Sequence, residues 1–226
     1  MSVVYKMVIG AGLICCMCQA GFADESCQSV FSHVYEQRLW GVNEDHTPSS
    51  GWGSLPQFVI PYKQFLVDFM RENQIHSIVD VGCGDWIFSR QIDWSSIQYT
   101  GVDVVADVIE RNLFQFSAPN ITFLHGDLLH MDLPEADLLV CKDVLQHLTN
   151  ADIHLFLTKL KKFKYCLITN DFFTDAEMVG PENRDIPYRG PHRPLDLTKP
   201  PFNVAGIKVL TYPIGAHAKQ VLLITP

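Results

Sequence analysis

The sequence predicts a doubly wound α/β domain on a seven-stranded, mostly parallel sheet that ends in an antiparallel C-terminal hairpin. Three observations support this fold class. From Phe58 onward, short apolar runs alternate with stretches of helical spacing. The runs lack a clean alternation of apolar and polar residues, which is typical of parallel strands covered on both faces. The last two runs are joined by a short connection that contains glycine, which favours an antiparallel pair.

The predicted elements alternate along the chain, as expected for such a sheet. The predicted strands cover His76 to Val81, Ile97 to Val104, Ile121 to Asp127, Ala136 to Asp143, Phe163 to Asp171, Ile207 to Pro213 and Lys219 to Pro226. The predicted helices cover Tyr62 to Gln74, Trp86 to Ile92, Ala106 to Phe116 and Ala151 to Phe163. Six prolines between Pro181 and Pro201 exclude a regular helix there and predict a long loop.

Length, composition and charge limit the kind of protein. The 226 residues suffice for one domain with a small extension, and 47% of them are hydrophobic, which is typical of a globular protein. We expect residues 24–61 to form an extension that caps the domain and residues 62–226 to form the domain itself. The net charge of −8 disfavours nucleic acid as a partner, because nucleic acids bind basic surfaces.

Residues 1–23 have the layout of a secretory signal peptide. Lys6 precedes an apolar run from Met7 to Cys18, and small residues follow from Ala20 to Ala23. This pattern predicts an exported protein, or one anchored in a membrane through this segment alone if the segment is not cleaved. If the segment is not a signal, the protein is expected in the cytoplasm.

The cysteines do not follow the pattern of an exported protein that is stabilised by disulfides. Cys83, Cys141 and Cys166 fall in or beside apolar strand-like runs, and no spacing along the chain suggests a disulfide framework or a metal site. We therefore predict that they are buried thiols. The sequence leaves the compartment open.

The stretch VDVGCGDW, Val79 to Trp86, follows directly on the first predicted strand. Glycines at Gly82 and Gly84 let the backbone turn sharply and approach a ligand at the carboxyl end of that strand. A dinucleotide-binding fingerprint would need a third glycine at Ile87, and a phosphate-binding P-loop would need Gly-Lys-Ser or Gly-Lys-Thr after the glycines. The sequence disfavours the first and excludes the second.

The order of motifs over Ile75 to Pro226 resembles the class I S-adenosylmethionine (SAM)-dependent methyltransferase family. DVGCGD resembles the family's first motif, in which an acidic residue precedes Gly-x-Gly. The resemblance implies SAM as the cofactor, with its methionine and ribose parts lined by Asp80, Gly82, Cys83 and Gly84. The family's fuller pattern has another glycine where Trp86 stands, so we expect the indole to reshape the methionine pocket.

The resemblance extends to the ends of the later strands. At the end of the second strand, Asp103 can accept hydrogen bonds from both ribose hydroxyls. Asp127 at the end of the third strand, with Leu128 beside it, is expected to contact the adenine. KDVLQHL resembles the segment after the family's fourth strand, and it adds Lys142 to the predicted cofactor site.

Methyl transfer from a sulfonium is an in-line displacement that depends mainly on positioning, and a base is needed only if the acceptor must lose a proton. Asp143 and His147 are four residues apart and would share one helical face. One hypothesis is that Asp143 orients His147 as a catalytic base. The alternative is that Asp143 caps a helix and His147 packs against the cofactor. A metal held by Asp143 with Asn170-Asp171 is a weaker alternative, and we assign no metal site.

The acceptor is expected to be a small molecule, a saccharide or a protein side chain. The motif of amino-group methylases on DNA bases or glutamine is absent, since the sequence reads CKDV there. We expect the stretch from Trp40 to Leu55 and the proline-rich loop to cover the cleft. Arg189, His192 and Arg193 either meet an anionic acceptor or are solvated loop charges. The alternative to an enzyme is a catalytically inactive binding or interaction protein with the methyltransferase fold.

Overall fold

The computed structural model describes residues 25–172, 183–215 and 217–226. Its helices are α1 (Cys27–Glu36), α2 (Ile60–Glu72), α3 (Ala106–Phe116) and α4 (Asn150–Leu157). Its strands are β1 (Ser77–Val81), β2 (Gln98–Asp103), β3 (Ile121–His125), β4 (Leu138–Lys142), β5 (Tyr165–Phe172), β6 (Ile207–Ile214) and β7 (His217–Ile224). The predicted signal peptide lies outside the described residues. Within these three ranges, no helix is long and apolar enough to cross a membrane.

The strands form one sheet in the order β3-β2-β1-β4-β5-β7-β6. Strands β1 to β5 are parallel, and β7 pairs antiparallel with both β5 and β6. This confirms the predicted fold class, including the terminal hairpin. The chain runs from β1 outward to β3 and then returns to β4 on the other side of β1, so strand order reverses between β1 and β4. In open α/β sheets, ligands bind at the carboxyl ends of the strands at such a point.

Both faces of the central strands are covered, which explains why the sequence shows no clean alternation. Val79 and Leu139 pack in a core cluster with Phe156 of α4. Their neighbours Ile78 and Leu138 belong to the cluster on the other face of the sheet, with Tyr62 and Leu66 of α2. All four cysteines in the described ranges are buried and free, as predicted for Cys83, Cys141 and Cys166.

Three parts of the helix prediction are wrong. The stretch from Trp86 to Ile92 contains only one helical turn, Ser89–Gln91, and Trp86 itself has a φ of +58°, which is not a helical conformation. The helix predicted to reach Phe163 ends at Leu157 and is followed by a separate turn. Helix α1 was not predicted, although its sequence carries a start signal: the side chain of Ser26 accepts a hydrogen bond from Ser29 N at 3.1 Å.

Candidate functional site

A cavity of about 440 Å³ opens at the carboxyl ends of the parallel strands. Its volume lies within the range of small-molecule sites, about 300–1,000 Å³. It is lined by all ten residues that the sequence analysis assigned to the cofactor or to catalysis, namely Asp80, Gly82, Cys83, Gly84, Asp103, Asp127, Leu128, Lys142, Asp143 and His147. The fold therefore brings these ten residues together at one cavity.

Five acidic side chains line this cavity in the order of the strands that carry them. From one side of the sheet to the other they are Asp127 after β3, Asp103 in β2, Asp80 in β1, Asp143 after β4 and Asp171 in β5. Neighbouring strands lie about 4.8 Å apart, so the row spans roughly 19 Å. The reversal of strand order divides it into a β1–β3 half and a β4–β7 half.

The glycine loop after β1 needs glycine for two reasons. Gly82 and Gly84 have φ values of +74° and +56°, which are conformations that other residues adopt at a cost. A Cβ atom at Gly82 would lie 2.2 Å from Val144 Cγ2, and one at Gly84 would lie 2.2 Å from Ser50 Oγ. The glycines therefore let two neighbouring segments close against the loop and complete the cavity wall.

Trp86 lies in the core and does not line the cavity. Its ring is 5% exposed and packs against Tyr99, Phe116 and Phe123. The expectation that the indole reshapes the methionine pocket is therefore wrong. Trp86 does have a positive φ, the conformation that the glycine of the family pattern would adopt more easily.

Asp103 is fixed by the backbone on both sides of its carboxylate. Oδ2 accepts a hydrogen bond from Gly84 N and Oδ1 accepts one from Val105 N, each at 3.0 Å. Burial raises the pKa of Asp103, and these two backbone donors partly offset that effect. Each carboxylate oxygen can accept a further hydrogen bond, so the group suits a ligand with two adjacent hydroxyls.

The far end of the β1–β3 half is less buried. Asp127 Oδ1 accepts a hydrogen bond from Leu129 N at 2.9 Å, and Oδ2 lies 2.9 Å from Nδ1 of the exposed His130. The sequence analysis missed the buried Asn112 of α3, whose Nδ2 donates to Gly84 O at 2.7 Å. A buried asparagine on the inner face of a helix needs such a partner, and that requirement is a signal the sequence does contain.

Asp80 lies beneath the glycine loop, in register with Gly101 of β2 and Val140 of β4. Burial raises the pKa of Asp80 to about 6, against the lowering effects of the hydrogen bond from Tyr99 Oη at 2.6 Å and of the charge on Lys142. The native state therefore holds a proton on Asp80 between about pH 4 and pH 6, where the same group in the unfolded chain has lost it.

This shift predicts an unusual pH dependence for Asp80→Asn. Because native Asp80 binds more protons than unfolded Asp80, its contribution to the free energy of unfolding falls as pH rises from about 4 to about 6. An asparagine avoids that cost, so Asp80→Asn should be more stable than wild type above pH 7, by about 1–3 kcal/mol. The gain should vanish below about pH 4. Urea unfolding at a series of pH values measures the difference.

Asp93→Asn is the matched control. Asp93 is exposed, and hydrogen bonds from Ser95 lower its pKa, so its carboxylate favours the folded state at neutral pH and its replacement should not raise stability. If Asp80→Asn is no more stable than wild type at pH 8, the buried carboxylate is not the unfavourable group described above.

In the β4–β7 half, five side chains form a continuous ion-pair chain: Lys142, Asp143, Lys219, Asp171 and His192. Lys142 Nζ lies 2.6 Å from Asp143 Oδ2, and Lys219 Nζ lies 2.8 Å from Asp143 Oδ1. Lys219 also pairs with Asp171, which in turn pairs with His192 Nε2. Burial would raise the pKa of Asp143, but the two ammonium groups outweigh it and hold that pKa below its usual range.

The ion-pair chain bears on the metal alternative. The ammonium of Lys219 lies between the carboxylates of Asp143 and Asp171, where the metal hypothesis would place a cation. In the described parts of the chain, no group of three histidine, cysteine or acidic residues is arranged to hold a metal ion. Lys219 was missed by the sequence analysis, although a lysine inside an apolar strand is itself a signal of a buried partner.

The predicted pairing of Asp143 with His147 is wrong, although both residues line the cavity. KDVLQHL is not an α-helix: Asp143 has a φ of +62°, and only Leu145–His147 forms a helical turn. His147 Nδ1 instead lies 3.0 Å from Gly190 O and donates to it. Burial lowers the pKa of His147 to about 4, so the ring is neutral at physiological pH.

Of the three basic residues considered for an anionic acceptor, only His192 lines the cavity. Arg189 makes a bidentate pair with Asp152, at 2.8 and 2.7 Å. Arg193 donates to Leu148 O at 2.6 Å. The two arginines therefore anchor the proline-rich loop to the domain and leave His192 between them at the cavity.

Residues 37–59, which belong to the predicted extension 24–61 and are called the cap below, form another wall of the cavity. Asp85 of the glycine loop accepts a hydrogen bond from Ser50 N at 3.1 Å, and Ser50 Oγ accepts one from Asp85 N at 2.7 Å. Lys142 Nζ donates to Gly53 O at 2.6 Å. Trp40 and Trp52 of the cap line the cavity. The cap is thus bonded to both halves of the site.

The comparisons with known proteins agree with this architecture. Residues 78–163 match a family model described as a methyltransferase domain. Uncharacterised methyltransferases of Mycobacterium bovis and Mycobacterium tuberculosis are 32% identical over 85 residues, which is 37% of this chain and 43% of each relative. The chain thus spans less than half the length of these curated relatives.

Two solved structures with bound SAM share the fold. Magnesium protoporphyrin IX methyltransferase of Synechocystis PCC 6803 is 12% identical, with a TM-score of 0.59 over 88% of this chain and 96% of that one. Human N-acetylserotonin methyltransferase is 17% identical, with a TM-score of 0.53 over 88% of this chain and 59% of that one. The fold, the glycine loop and the family match define a Rossmann-like methyltransferase domain. The chain therefore contains a region that matches a methyltransferase domain, and it shares its fold with methyltransferases that bind SAM.

Proposed function

We propose that the protein is an active SAM-dependent methyltransferase that acts on a small molecule, a saccharide or a protein side chain. The observation that carries this proposal is the β1–β3 half of the cavity. There, Asp80, Asp103 and Asp127 come together around Gly82 and Gly84, each from the carboxyl end of its own strand. A protein that had kept only the fold would have no need of this set of acidic and glycine positions.

The chemistry of these groups fits SAM. Asp103 has free lone pairs on both carboxylate oxygens for the two ribose hydroxyls. Asp80 places a carboxylate under the glycine loop, where the methionine part with its ammonium group would lie. Asp127 and Leu128 lie at the far end, where the adenine would lie, and Cys83 contributes an apolar side chain to the wall.

When bound, SAM supplies a methyl group activated by a sulfonium. The residues of this chain bind and orient: the β1–β3 half holds the cofactor, and the β4–β7 half faces the acceptor. Lys142 belongs with the second half, because its ammonium is bonded to Asp143 and to Gly53 O of the cap. The cap excludes water from the junction of the two halves. Such positioning supplies much of the acceleration of a displacement reaction.

Calorimetry of the purified protein with SAM tests the first part of the proposal. We expect saturable binding of one SAM per chain, and binding of S-adenosylhomocysteine at the same site. Transfer of a tritiated methyl group from SAM to an acceptor in a cell extract tests the second part. Binding without any transfer would favour the inactive alternative, and absence of binding would refute the proposal.

A further inference from the structure

We propose that His192, held by Asp171, is the base that accepts a proton from a hydroxyl group of the acceptor, and that this hydroxyl lies on an apolar, aromatic molecule. The inference rests on the proposed function and deepens it, because it names the substrate class and assigns the proton transfer to a residue other than His147.

His192 is held in place at the cavity. It lies in the proline-rich loop, and the backbone on both sides of it is anchored: Gly190 exchanges two hydrogen bonds with His147, and Arg193 N donates to Gln146 O at 3.2 Å. His192 lines the cavity, yet 39% of its side chain is exposed, so a proton that it accepts can leave to solvent. The loop thus fixes a histidine at the mouth of the β4–β7 half.

Asp171 is the hydrogen-bond partner of His192. His192 Nε2 is hydrogen-bonded to Asp171 Oδ2, so Nε2 carries the hydrogen and Nδ1 keeps the lone pair. Burial would raise the pKa of Asp171, but the hydrogen bond from His192 and the ammonium of Lys219 outweigh it and hold that pKa well below its usual range. Asp171 is therefore ionised throughout the working pH range and stabilises the imidazolium that forms on proton transfer.

The charges around His192 come from several elements. Asp171 faces it from β5, and His147 faces it from the turn after β4, with ring centroids 5.8 Å apart. Asp171 also pairs with Lys219 of β7, and Lys219 pairs in turn with Asp143. The two lysines and two aspartates of the ion-pair chain balance one another. Proton uptake by His192 therefore leaves one positive charge beside an ionised carboxylate.

His147 is a poorer base, because its burial keeps it neutral down to about pH 4 and its Nδ1 is committed to Gly190 O. Its ring instead continues an aromatic wall. The centroid of Trp40 lies 5.2 Å from that of His147, and the centroid of Phe31 lies 6.0 Å from that of Trp40. With Trp52 and Phe88, which also line the cavity, these rings favour an acceptor with a flat apolar body.

The acceptor O–H gives its proton to His192 Nδ1, and an oxygen lone pair forms the new C–O bond to the methyl carbon of SAM. The C–S bond breaks, and its electron pair stays on sulfur, which leaves neutral S-adenosylhomocysteine. His192 then releases the proton to solvent. A carboxylate acceptor would need no base, so a base in this place favours a phenol-like hydroxyl.

The test uses three acceptors with one body: 1-naphthol, 1-naphthylamine and 1-naphthoic acid, each with tritiated SAM and the full-length protein. We expect label in the methyl ether of 1-naphthol and at most traces in the other two. Label in 1-naphthoic acid but not in 1-naphthol would overturn the proposal.

His192→Gln should lower turnover by about 10²–10⁴-fold, the usual contribution of a positioned base, with SAM affinity unchanged in calorimetry. Asp171→Asn should lower turnover as well, because the imidazolium formed on proton transfer loses its charged partner. His154→Gln on the exposed face of α4 is the control and should behave as wild type. Wild-type turnover in His192→Gln, with a large loss in His147→Gln, would overturn the assignment.

A second measurement does not depend on turnover. Nitrogen-15 spectra of the histidine rings, with the His192 signal assigned from its loss in His192→Gln, should show the tautomer that is protonated at Nε2. Protonation at Nδ1 instead would overturn the dyad. If SAM binds but none of the naphthalene compounds is methylated, the acceptor class is wrong while the proposed function stands. If SAM does not bind, the proposed function itself fails.

Discussion

Gly82→Ala should destabilise the protein by about 2–5 kcal/mol, which is the order of the backbone strain and the overpacking combined. The same substitution should weaken SAM binding by at least tenfold. The alanine would have to adopt a φ of +74°, and its Cβ would lie 2.2 Å from Val144 Cγ2. The loop can relieve the clash only by moving, and it forms the wall under which the methionine part of SAM is proposed to lie. Urea unfolding and calorimetry measure the two effects.

Two further variants separate the causes. Gly215→Ala is the matched control, because Gly215 has a φ of +58° and nothing within 4 Å of an added Cβ. It should cost only the conformational strain, about 1 kcal/mol. A double variant that combines Gly82→Ala with Val144→Ala lacks the clashing methyl group. It should therefore be about 1–3 kcal/mol more stable than the sum of the two single effects predicts. Simple additivity would show that the clash is not the cause.

Asp103→Ala should weaken SAM binding by about 1.5–3 kcal/mol, which is the usual contribution of hydrogen bonds to a charged group. The carboxylate is proposed to accept the two ribose hydroxyls, and its removal leaves both without a charged acceptor. It also leaves Gly84 N and Val105 N without their partner, so a loss of folding stability is expected beside the loss of affinity. Calorimetry at a temperature where the variant remains folded measures the SAM affinity separately from the loss of folding stability.

The control for this variant is Asp107→Ala, in the exposed first turn of the helix that follows. It removes a carboxylate from the same region of the chain but not from the cavity, and SAM affinity should stay within a factor of two or so of wild type, as for an ordinary surface change. Unchanged affinity in Asp103→Ala itself would remove the ribose assignment and leave the glycine loop as the main support for SAM.

The sheet and the β1–β3 half could be predicted from the sequence because both depend on local signals. The strands of a doubly wound sheet are apolar runs, and the glycine loop joins consecutive residues. Asp103 ends its own strand, and Asp127 lies two residues beyond the end of its strand. Their meeting in one cavity requires only that parallel strands end at the same edge of the sheet. No information about distant contacts is needed for that conclusion.

The β4–β7 half could not be predicted in the same way, because its partners are far apart in the chain. Lys219 meets Asp143 through the pairing of β4 with β5 and of β5 with β7, and the register of these pairings cannot be read from the sequence. His192 reaches Asp171 from a proline-rich loop without periodicity. The error over His147 had a local cause, since the positive φ of Asp143 interrupts a stretch whose spacing suggested a helix.

The cap suggests how the proposed methyltransferase could change its acceptor during evolution. Trp40 and Trp52 belong to a segment that precedes residues 78–163, the part of the chain that matches the methyltransferase family model. If Trp40 and Trp52 contact the acceptor as proposed, part of the acceptor wall is encoded outside the matched region and joins it through contacts such as the hydrogen bond between Ser50 and Asp85. Substitutions in the cap can therefore alter which molecules are methylated while the machinery that handles SAM stays intact, so relatives that share the matched region need not share a substrate.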